Sequence, residues 1–337
     1  MAIQPAIQQL IEGRDLGRDG ARAVMDQIMS GQATDAQIGA FLIALRCKGE
    51  SVEEITGCAQ VMREKVTRIT TSRGDLIDTC GTGGDGSGTF NISTTVVFVA
   101  AGAGLAVAKH GNRAMSSQCG SADVLQALGI DIEIAPEKVG RCLDETGIGF
   151  LFAPMLHGAM KHAIGPRREI GTRTVFNVLG PLTNPAGAGR QLLGVYAADL
   201  TEKIAGVLRE LGSERAFVVH GTDGLDEITL TGPTRVSELR DGQIATIEIA
   251  PEDFGMERAD PEALKGGTAE ENAKILTDIL AGEKSPRRDV VLLNAAAAIA
   301  AGGRVDSLEE GLEKARAAID SGKALQAMEH LVKVSNS

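Results

Sequence analysis

Five glycines in a short stretch constrain the fold of this chain more than any other feature of its sequence. They lie within Gly81–Gly88, directly after the aliphatic segment Leu76–Thr79 and upstream of Val96–Ala103, which has the composition of a buried helix. Glycine lets the backbone adopt positive φ and approach a ligand closely. The start of a helix offers free N–H groups and a positive dipole end to an anion. The order strand, glycine loop, helix therefore predicts an α/β fold with a cradle for phosphate or pyrophosphate.

Two better-known glycine motifs do not fit this loop. Gly81, Gly83 and Gly86 match the spacing of the dinucleotide fingerprint, but that fingerprint requires an acid at the end of the next strand. Here the next predicted strand leads directly into Lys109, a base instead of an acid. A Walker loop is excluded because no Gly-Lys-Ser/Thr follows the glycines. Asp85 would repel a bare anion, so we expect it to contact ribose hydroxyls or metal-bound water.

A polar segment, Lys109–Asp123, follows the predicted strand Gly104–Ala108. It should lie at the carboxyl edge of the sheet, where α/β proteins bind ligands. His110 and Asn112 add groups with directional hydrogen bonding. Basic and hydroxyl side chains suit phosphate oxygens. The candidates of this kind are Lys109, Arg113, Ser116, Ser117 and Ser121.

Asp226 and Glu227 are adjacent acids, called the acid pair below. Neighbours on a regular strand point to opposite faces. The two can share a metal ion only in a turn, which Gly221 and Gly224 favour. Mg²⁺ prefers carboxylates, water and substrate phosphates. Adjacent acids are also common on solvated loops, so the pair alone does not establish a metal site.

Arg167 and Arg168 could pair with a substrate carboxylate through two parallel hydrogen bonds. The alternative for each arginine is a surface ion pair with Glu169 or a similar acid.

The first 70 or so residues have helical periodicity, and Thr34 and Ser51 begin possible capping boxes. Beyond about residue 72, aliphatic strands alternate with helices, which predicts a mainly parallel sheet. Thr229–Leu239 and Gln243–Ile249 could add antiparallel strands at one edge. We therefore expect an α/β protein with a small all-helical domain, residues 1–72, and a larger α/β domain, residues 73–337.

Composition narrows the classes of function. A net charge of −11 and a sequence pI of about 5.1 disfavour binding to nucleic acid. No apolar run is long enough to span a membrane. The five cysteines are odd in number and contain no Cys-x-x-Cys, which is typical of reduced thiols in the cytoplasm.

Taken together, these segments resemble the anthranilate phosphoribosyltransferases over nearly the whole chain. The motifs that carry the resemblance are Gly81–Asp85, Asn91–Thr94, Lys109–Arg113, Gly120–Asp123, Arg167–Gly171, Asn177–Pro185 and Asp226–Glu227. The resemblance implies a fold shared with pyrimidine nucleoside phosphorylases, in which a helical excursion near residues 159–173 returns to the small domain. It also implies a cleft between the domains and a homodimer joined through the helical domains.

The resemblance further implies transfer of a phosphoribosyl group from phosphoribosyl pyrophosphate to anthranilate in tryptophan biosynthesis, with two Mg²⁺ ions per subunit. Phosphoribosyl pyrophosphate would contact Gly81, Gly84, Asp85, Thr89, Asn91, Ile92, Ser93, Thr94, Lys109, Ser117 and Ser121. Mg²⁺ would be served by Ser93, Asp226 and Glu227. Anthranilate would contact Gly81, Asn112, Arg167, His110, His157 and Pro181. The catalytic roles would fall to Lys109, Asp85 and Arg167.

Two other functions remain open at this point. A relative of the nucleoside phosphorylases would use phosphate and a pyrimidine nucleoside, but Arg167 with Asn112 favours a carboxylated aromatic acceptor. A non-catalytic relative could bind nucleic acid through the same cleft, but the acidic balance and the acid pair argue against it.

Overall fold

The computed structural model describes residues 2–114 and 118–337. The chain opens with helices α1 (Ile3–Ile11), α2 (Gly17–Met29), α3 (Asp35–Lys48) and α4 (Val52–Lys65). Both predicted capping boxes form: the Thr34 hydroxyl accepts the Gln37 N–H at the start of α3, and Ser51 accepts the Glu54 N–H at the start of α4. Local sequence therefore sets where these two helices begin.

A seven-stranded sheet lies at the centre of the part of the chain that the structure describes, in the order β3-β2-β1-β4-β5-β6-β7. Its strands are β1 (Leu76–Gly81), β2 (Ala106–Gly111), β3 (Ile148–Phe152), β4 (Arg190–Gly194), β5 (Arg215–Gly221), β6 (Thr234–Arg240) and β7 (Gln243–Ile249). The first five are parallel, and β6 and β7 run antiparallel at one edge. The predicted mainly parallel sheet with an antiparallel edge is confirmed.

Strand β6 is shorter than predicted. The prediction of a strand from Thr229 is wrong, because residues 229–233 form an irregular, bent segment before β6 begins at Thr234. The Asp223 carboxylate accepts the hydroxyls of Thr229 (2.6 Å) and Thr231 (2.5 Å), which holds the segment in its own loop. Polar side chains here bind each other instead of alternating along a strand.

Helices cover both faces of the sheet. They are α5 (Ile92–Gly102), α6 (Ser121–Ala127), α7 (Pro136–Thr146), α8 (Ala153–Leu156), α9 (Ile164–Ile170), α10 (Phe176–Leu179), α11 (Leu200–Glu210), α12 (Ala269–Leu280), α13 (Pro286–Ala301), α14 (Leu308–Asp320) and α15 (Lys323–Ser335). The core on one face includes α5, α13, α14 and α15. The core on the other face runs without a break from α1–α4 through α11 to the sheet. The small helical unit thus buries its apolar surface on the α/β part of the chain.

Several elements were not assigned from the sequence, namely β3, α7, α8, α10 and α15. The five residues of β3 are all buried. A short apolar run of this kind cannot be told from a buried helical segment by periodicity. From β3 the chain continues through α8 and a 3₁₀ turn at Gly158–His162 to α9, which contacts α3, and returns through α10.

This topology positions the site. Strands β1, β2, β4 and β5 each end in a glycine: Gly81, Gly111, Gly194 and Gly221. Parallel neighbours place their carboxyl ends at one edge, and Gly81 pairs directly with Gly194. The glycine loop, the polar segment after β2 and the acid pair after β5 therefore meet at that edge.

Candidate active site

The glycine loop leaves β1 with positive φ at Gly83, Gly84, Gly86 and Gly88. Its first turn is tied to the acid pair, because the Asp226 Oδ2 accepts the Gly83 N–H at 2.7 Å. Within the loop, the Asp85 carboxylate accepts the N–H of Ser87 (3.2 Å) and its hydroxyl (2.7 Å). The loop is thus ordered by acidic side chains around it as well as by its glycines.

Both members of the acid pair are buried, Asp226 at 9% and Glu227 at 8% exposure. Burial raises the pKa of both carboxyls; the charge of Asp85 raises that of Asp226 further, and the charge of Asp226 raises that of Glu227. The Ser93 N–H, in the first turn of α5, donates to Glu227. The turn after β5 therefore points both acids toward the glycine loop and α5.

The donor set fits Mg²⁺ that is shared with a substrate. Among the residues in the described ranges, no three His, Cys, Asp or Glu side chains converge as a complete metal site. Mg²⁺ is usually held by one or two carboxylates, with waters and substrate phosphates completing its shell. The raised pKa values show that two ionised carboxylates are disfavoured here without a counter-ion, and a divalent cation would balance their charge.

Lys109 lies in β2, near the edge of the sheet where the acid pair and the glycine loop meet, and is 3% exposed. Its Nζ donates to the Thr79 carbonyl and to the Ser93 Oγ at 3.3 Å. Burial lowers the pKa of the ammonium group, and the charges of Asp78 and the acid pair oppose that shift. A cation is therefore held among acids beside the start of α5.

Asp78, which sequence reasoning missed, is a buried link between three elements. Its carboxylate accepts the His110 N–H at 3.0 Å and the Asn184 Nδ2–H at 2.8 Å. Asn184 also donates to the Ala108 carbonyl at 2.8 Å. The link joins β1, the end of β2 and the segment after α10. Separations of 32 and 106 residues give no sequence signal.

The predicted phosphate contacts near α5 divide into two groups. The side chains of Ile92 and Thr94 are each 1% exposed, so only their backbone can reach a ligand. Asn91 accepts the Asn272 Nδ2–H at 3.0 Å and donates to the Cys119 carbonyl at 3.1 Å. The side chains of Thr89 and Ser93, by contrast, are partly exposed. The Thr89 hydroxyl lies 3.3 Å from that of Ser87.

The predicted strand end at Ala108 is wrong, because β2 continues to Gly111 and includes the first three residues of the polar segment. The rest of that segment is only partly available for binding phosphate. The Arg113 guanidinium pairs with Asp123 and Glu133, so it is committed to acids and is a poor phosphate ligand. The Ser121 hydroxyl lies 3.2 Å from both the N–H and the carbonyl of Asn112. The predicted contacts Ser116 and Ser117 lie outside the described residues.

His110 and His157, called the histidine pair below, are joined by their Nε2 atoms at 3.0 Å. The His110 Nδ1 lies 3.1 Å from the Gly180 carbonyl oxygen, directly before Pro181. Burial lowers the pKa of His110 to about 3 and that of His157 to about 4. The pair is therefore neutral at physiological pH.

Arg167, on α9, is half-buried, and burial lowers the pKa of its guanidinium. The group lies 4.9 Å from the centre of the Phe176 ring. Within residues 2–114 and 118–337 no acid forms an ion pair with it, so the alternative pairing with Glu169 is absent. A cation held on an aromatic ring without an acidic partner can receive a carboxylate.

Arg173 is a further residue that sequence reasoning missed. Its guanidinium donates to the Gly84 carbonyl and lies 4.3 Å from the centre of the Tyr196 ring. The segment returning from α9 is thereby attached to the glycine loop. The only hint of this contact in the sequence was Tyr196, the single tyrosine of the chain.

Comparison with protein families defines the class. Residues 4–66 match the helical bundle domain of the glycosyl transferase family, and residues 73–325 match the a/b domain of that family. The fold thus belongs to the glycosyl transferase family, with a helical bundle domain followed by an a/b domain.

Individual relatives narrow the class further. The chain is 60% identical to the anthranilate phosphoribosyltransferase of Symbiobacterium thermophilum over 96% of this chain and 95% of the relative. The crystal structure of the Thermus thermophilus enzyme of that name has a TM-score of 0.94 and 45% identity, covering 98% and 99% of the two chains. The Saccharomyces cerevisiae enzyme, solved in complex with PRPP and Mg, has a TM-score of 0.90 and 30% identity, covering 99% and 98%. The chain belongs to the anthranilate phosphoribosyltransferase family.

Proposed function

We propose that this chain transfers the phosphoribosyl group of 5-phosphoribosyl 1-pyrophosphate to the amine of anthranilate. The products are N-(5-phosphoribosyl)anthranilate and pyrophosphate, as a step of tryptophan biosynthesis. The observation that carries the proposal is the half-buried Arg167, a cation without an acidic partner, in a chain whose sheet edge also carries a phosphate cradle. The names of the relatives support this reaction over a phosphorylase or a nucleic-acid-binding role.

The phosphoribosyl pyrophosphate would bind at the glycine loop and the start of α5. Positive φ at Gly84 and the free space at Gly83 and Gly86 let phosphate oxygens approach the backbone. The N-terminus of α5 favours negative charge. The proposed contacts are Gly81, Gly84, Asp85, Thr89, Asn91, Ile92, Ser93, Thr94, Lys109, Ser117 and Ser121.

Mg²⁺ would be held by the acid pair and by Ser93, and we propose two ions per subunit. The yeast relative, solved with Mg, supports a magnesium site. When bound, the ions would supply positive charge to the pyrophosphate. Neutralising the acid pair would also relieve the repulsion that Asp85 and Asp226 exert on each other.

The chain's own residues would act by positioning and by charge. Lys109 would stabilise the negative charge that develops on the departing pyrophosphate. Asp85 would stabilise the positive charge of the sugar at the transition state. Arg167 and Asn112 would hold the anthranilate carboxylate, with Gly81, His110, His157 and Pro181 lining its site. An aromatic amine is already neutral and nucleophilic at pH 7, so holding it near the anomeric carbon supplies much of the catalysis.

The test follows anthranilate fluorescence after mixing the protein with anthranilate, phosphoribosyl pyrophosphate and Mg²⁺. We expect a loss of fluorescence that requires all three additions and releases pyrophosphate. Folded protein that binds phosphoribosyl pyrophosphate but leaves the fluorescence unchanged would refute the proposed acceptor.

The metal-free protein is expected to lose stability between about pH 6 and about pH 8. The pKa values of the acid pair are raised above their unfolded values, so the native state binds more protons than the unfolded state in this range. Stability must then fall as pH rises, and we expect the Tm to drop by about 2–4 °C. Glu227→Gln, which cannot ionise, should show a smaller drop in calorimetry with a chelator present. Equal drops in both proteins would contradict the expectation.

We also propose that residues 1–72, with the excursion near 159–173, form one domain and residues 73–337 the other. The family matches to residues 4–66 and 73–325 support this division.

No helix in the described ranges is long and apolar enough to cross a bilayer. The five cysteines all lie among the described residues and form no disulfide there, which supports the expectation of a cytoplasmic location.

Two copies would associate through the helical domain. The support is exposed apolar surface: Ile11 on α1 is 68% exposed, Ile43 on α3 is 37% exposed, and Ile164 on α9 is 52% exposed. Helices α1 and α9 both contact α3, so these side chains lie on neighbouring helices. Sedimentation should give twice the chain mass of 35.1 kDa. A monomer at micromolar concentration would refute the dimer.

A further inference from the structure

The hydrogen bonds of the histidine pair fix which nitrogen atoms carry protons. A carbonyl oxygen only accepts, so the His110 Nδ1, 3.1 Å from the Gly180 oxygen, must carry a hydrogen. In a neutral imidazole the other nitrogen is then an acceptor. The His110 Nε2 therefore accepts from the His157 Nε2–H across 3.0 Å. This leaves the His157 Nδ1 with a lone pair, and no donor among the described residues contacts it.

Both rings are held in the neutral form that this argument requires. Burial lowers the pKa of His110, and the neighbouring His157 and Lys109 lower it further. Burial alone lowers the pKa of His157. A resting proton on His110 would have to enter a buried site beside the Lys109 ammonium group.

The carbonyl that sets this polarity cannot easily turn away. Gly180 begins a segment in which three successive carbonyls are each bound by a side chain from a different element. The Pro181 carbonyl accepts the Gln191 Nε2–H at 2.7 Å, and the Leu182 carbonyl accepts the Arg63 Nε–H at 2.7 Å. Arg63 lies on α4 and Gln191 on β4, so a helix of the N-terminal unit and the central sheet both hold the segment in place.

The histidine pair lies between the two halves of the proposed site. His110 directly follows Lys109 at the end of β2. Gly180 directly follows α10, whose first residue, Phe176, supports the Arg167 guanidinium. Four residues of helix span only about 6 Å. Arg167, the proposed carboxylate ligand, therefore contacts one end of this helical turn, and His110 contacts the other end.

We propose that His157 accepts, at Nδ1, the proton that the anthranilate amine loses as its bond to the anomeric carbon forms. This inference rests on the proposed function. The nitrogen lone pair forms the C–N bond while the bond from carbon to the pyrophosphate oxygen breaks, and pyrophosphate leaves with that electron pair. The nitrogen then bears a positive charge, and one of its two protons passes to His157, which becomes an imidazolium. His110 is a positioning residue, because its Nε2 accepts from that imidazolium.

The match in acidity supports this assignment. An aryl amine that has just formed a bond to carbon is a strong acid, so a weak base suffices to deprotonate it. The half-buried His157 imidazole, with a pKa of about 4, also stays unprotonated and ready to accept throughout the physiological range.

The test compares single-turnover kinetics of His157→Ala with those of the wild-type protein. Both proteins are saturated with phosphoribosyl pyrophosphate and Mg²⁺. We expect the bond-forming step to slow about 100-fold, with the Kd for phosphoribosyl pyrophosphate unchanged. Added imidazole should restore the rate in proportion to its free-base concentration, which a structural role would not produce. His157→Gln, of similar size but unable to take a proton, should be equally slow. His330→Gln, on the exposed face of α15, is the matched control and should match the wild type.

A rate within threefold of the wild type in either His157 variant would overturn the inference. A slow rate that imidazole leaves unchanged in His157→Ala would overturn it as well. The wild-type reaction separates this failure from that of the proposed function: an inactive wild type refutes the function, and an active wild type with an unaffected variant refutes only the proton acceptor. If the alanine variant does not fold, the glutamine variant decides by its rate.

Discussion

Gly194→Ala is expected to lower kcat/KM by at least about 100-fold. Gly194 ends β4, and a Cβ at this position would lie 1.5 Å from the backbone oxygen of Asp226. Ordinary contact requires the Asp226 backbone to move by about 2 Å. Asp226 anchors the glycine loop through the Gly83 N–H and is a proposed magnesium ligand. The displacement should therefore raise the Mg²⁺ concentration needed for half-maximal rate as well.

The matched control is Gly74→Ala. Gly74 is exposed, and a Cβ there would meet nothing within 4 Å. Steady-state kinetics over a range of Mg²⁺ concentrations, with calorimetry to confirm folding, decide the result. Activity within fivefold of the wild type, in folded Gly194→Ala protein, would show that Asp226 is not held as we describe. Gly81→Ala offers a second case, since its Cβ would lie 2.4 Å from the Asp226 Oδ2.

Arg167→Ala is expected to raise the KM for anthranilate by about 10- to 150-fold, because a hydrogen-bonded charged pair contributes about 1.5–3 kcal/mol. The KM for phosphoribosyl pyrophosphate should stay within a factor of about two, since that substrate binds at the glycine loop. Removing the guanidinium leaves the Phe176 ring in place but takes away the cation that would receive the carboxylate. Steady-state fluorescence assays that vary each substrate in turn measure both constants.

Arg168→Ala is the control for this prediction, because Arg168 is the exposed neighbour of Arg167 on the same helix. Aniline, which lacks the carboxylate, should be an equally poor acceptor for the wild type and for Arg167→Ala. An unchanged KM for anthranilate in Arg167→Ala would place the carboxylate elsewhere in the site. The KM for anthranilate of Arg167→Lys should fall between those of the wild type and Arg167→Ala, since lysine keeps the charge but loses the planar fork.

The local parts of the structure follow from local sequence. The boxes at Thr34 and Ser51 set the starts of α3 and α4, because both partners lie within four residues of each other. The Asp241–Gly242 turn joins β6 and β7, with positive φ at both residues. Where polar side chains competed for the backbone, as at Thr229, the sequence pattern misplaced the strand by five residues.

The sequence by itself determined the α/β class, the order of the cradle motifs and the resemblance to one enzyme family. Strand, glycine and helix signals act over a few residues, and parallel strands then carry them to one edge. Only the tertiary structure decided that Asp78 links β1 to His110 and Asn184, and that His157 meets His110. It also showed that Arg113 is committed to acids while Arg167 is not. These contacts join residues far apart in the chain, and packing, not local propensity, selects which of them form.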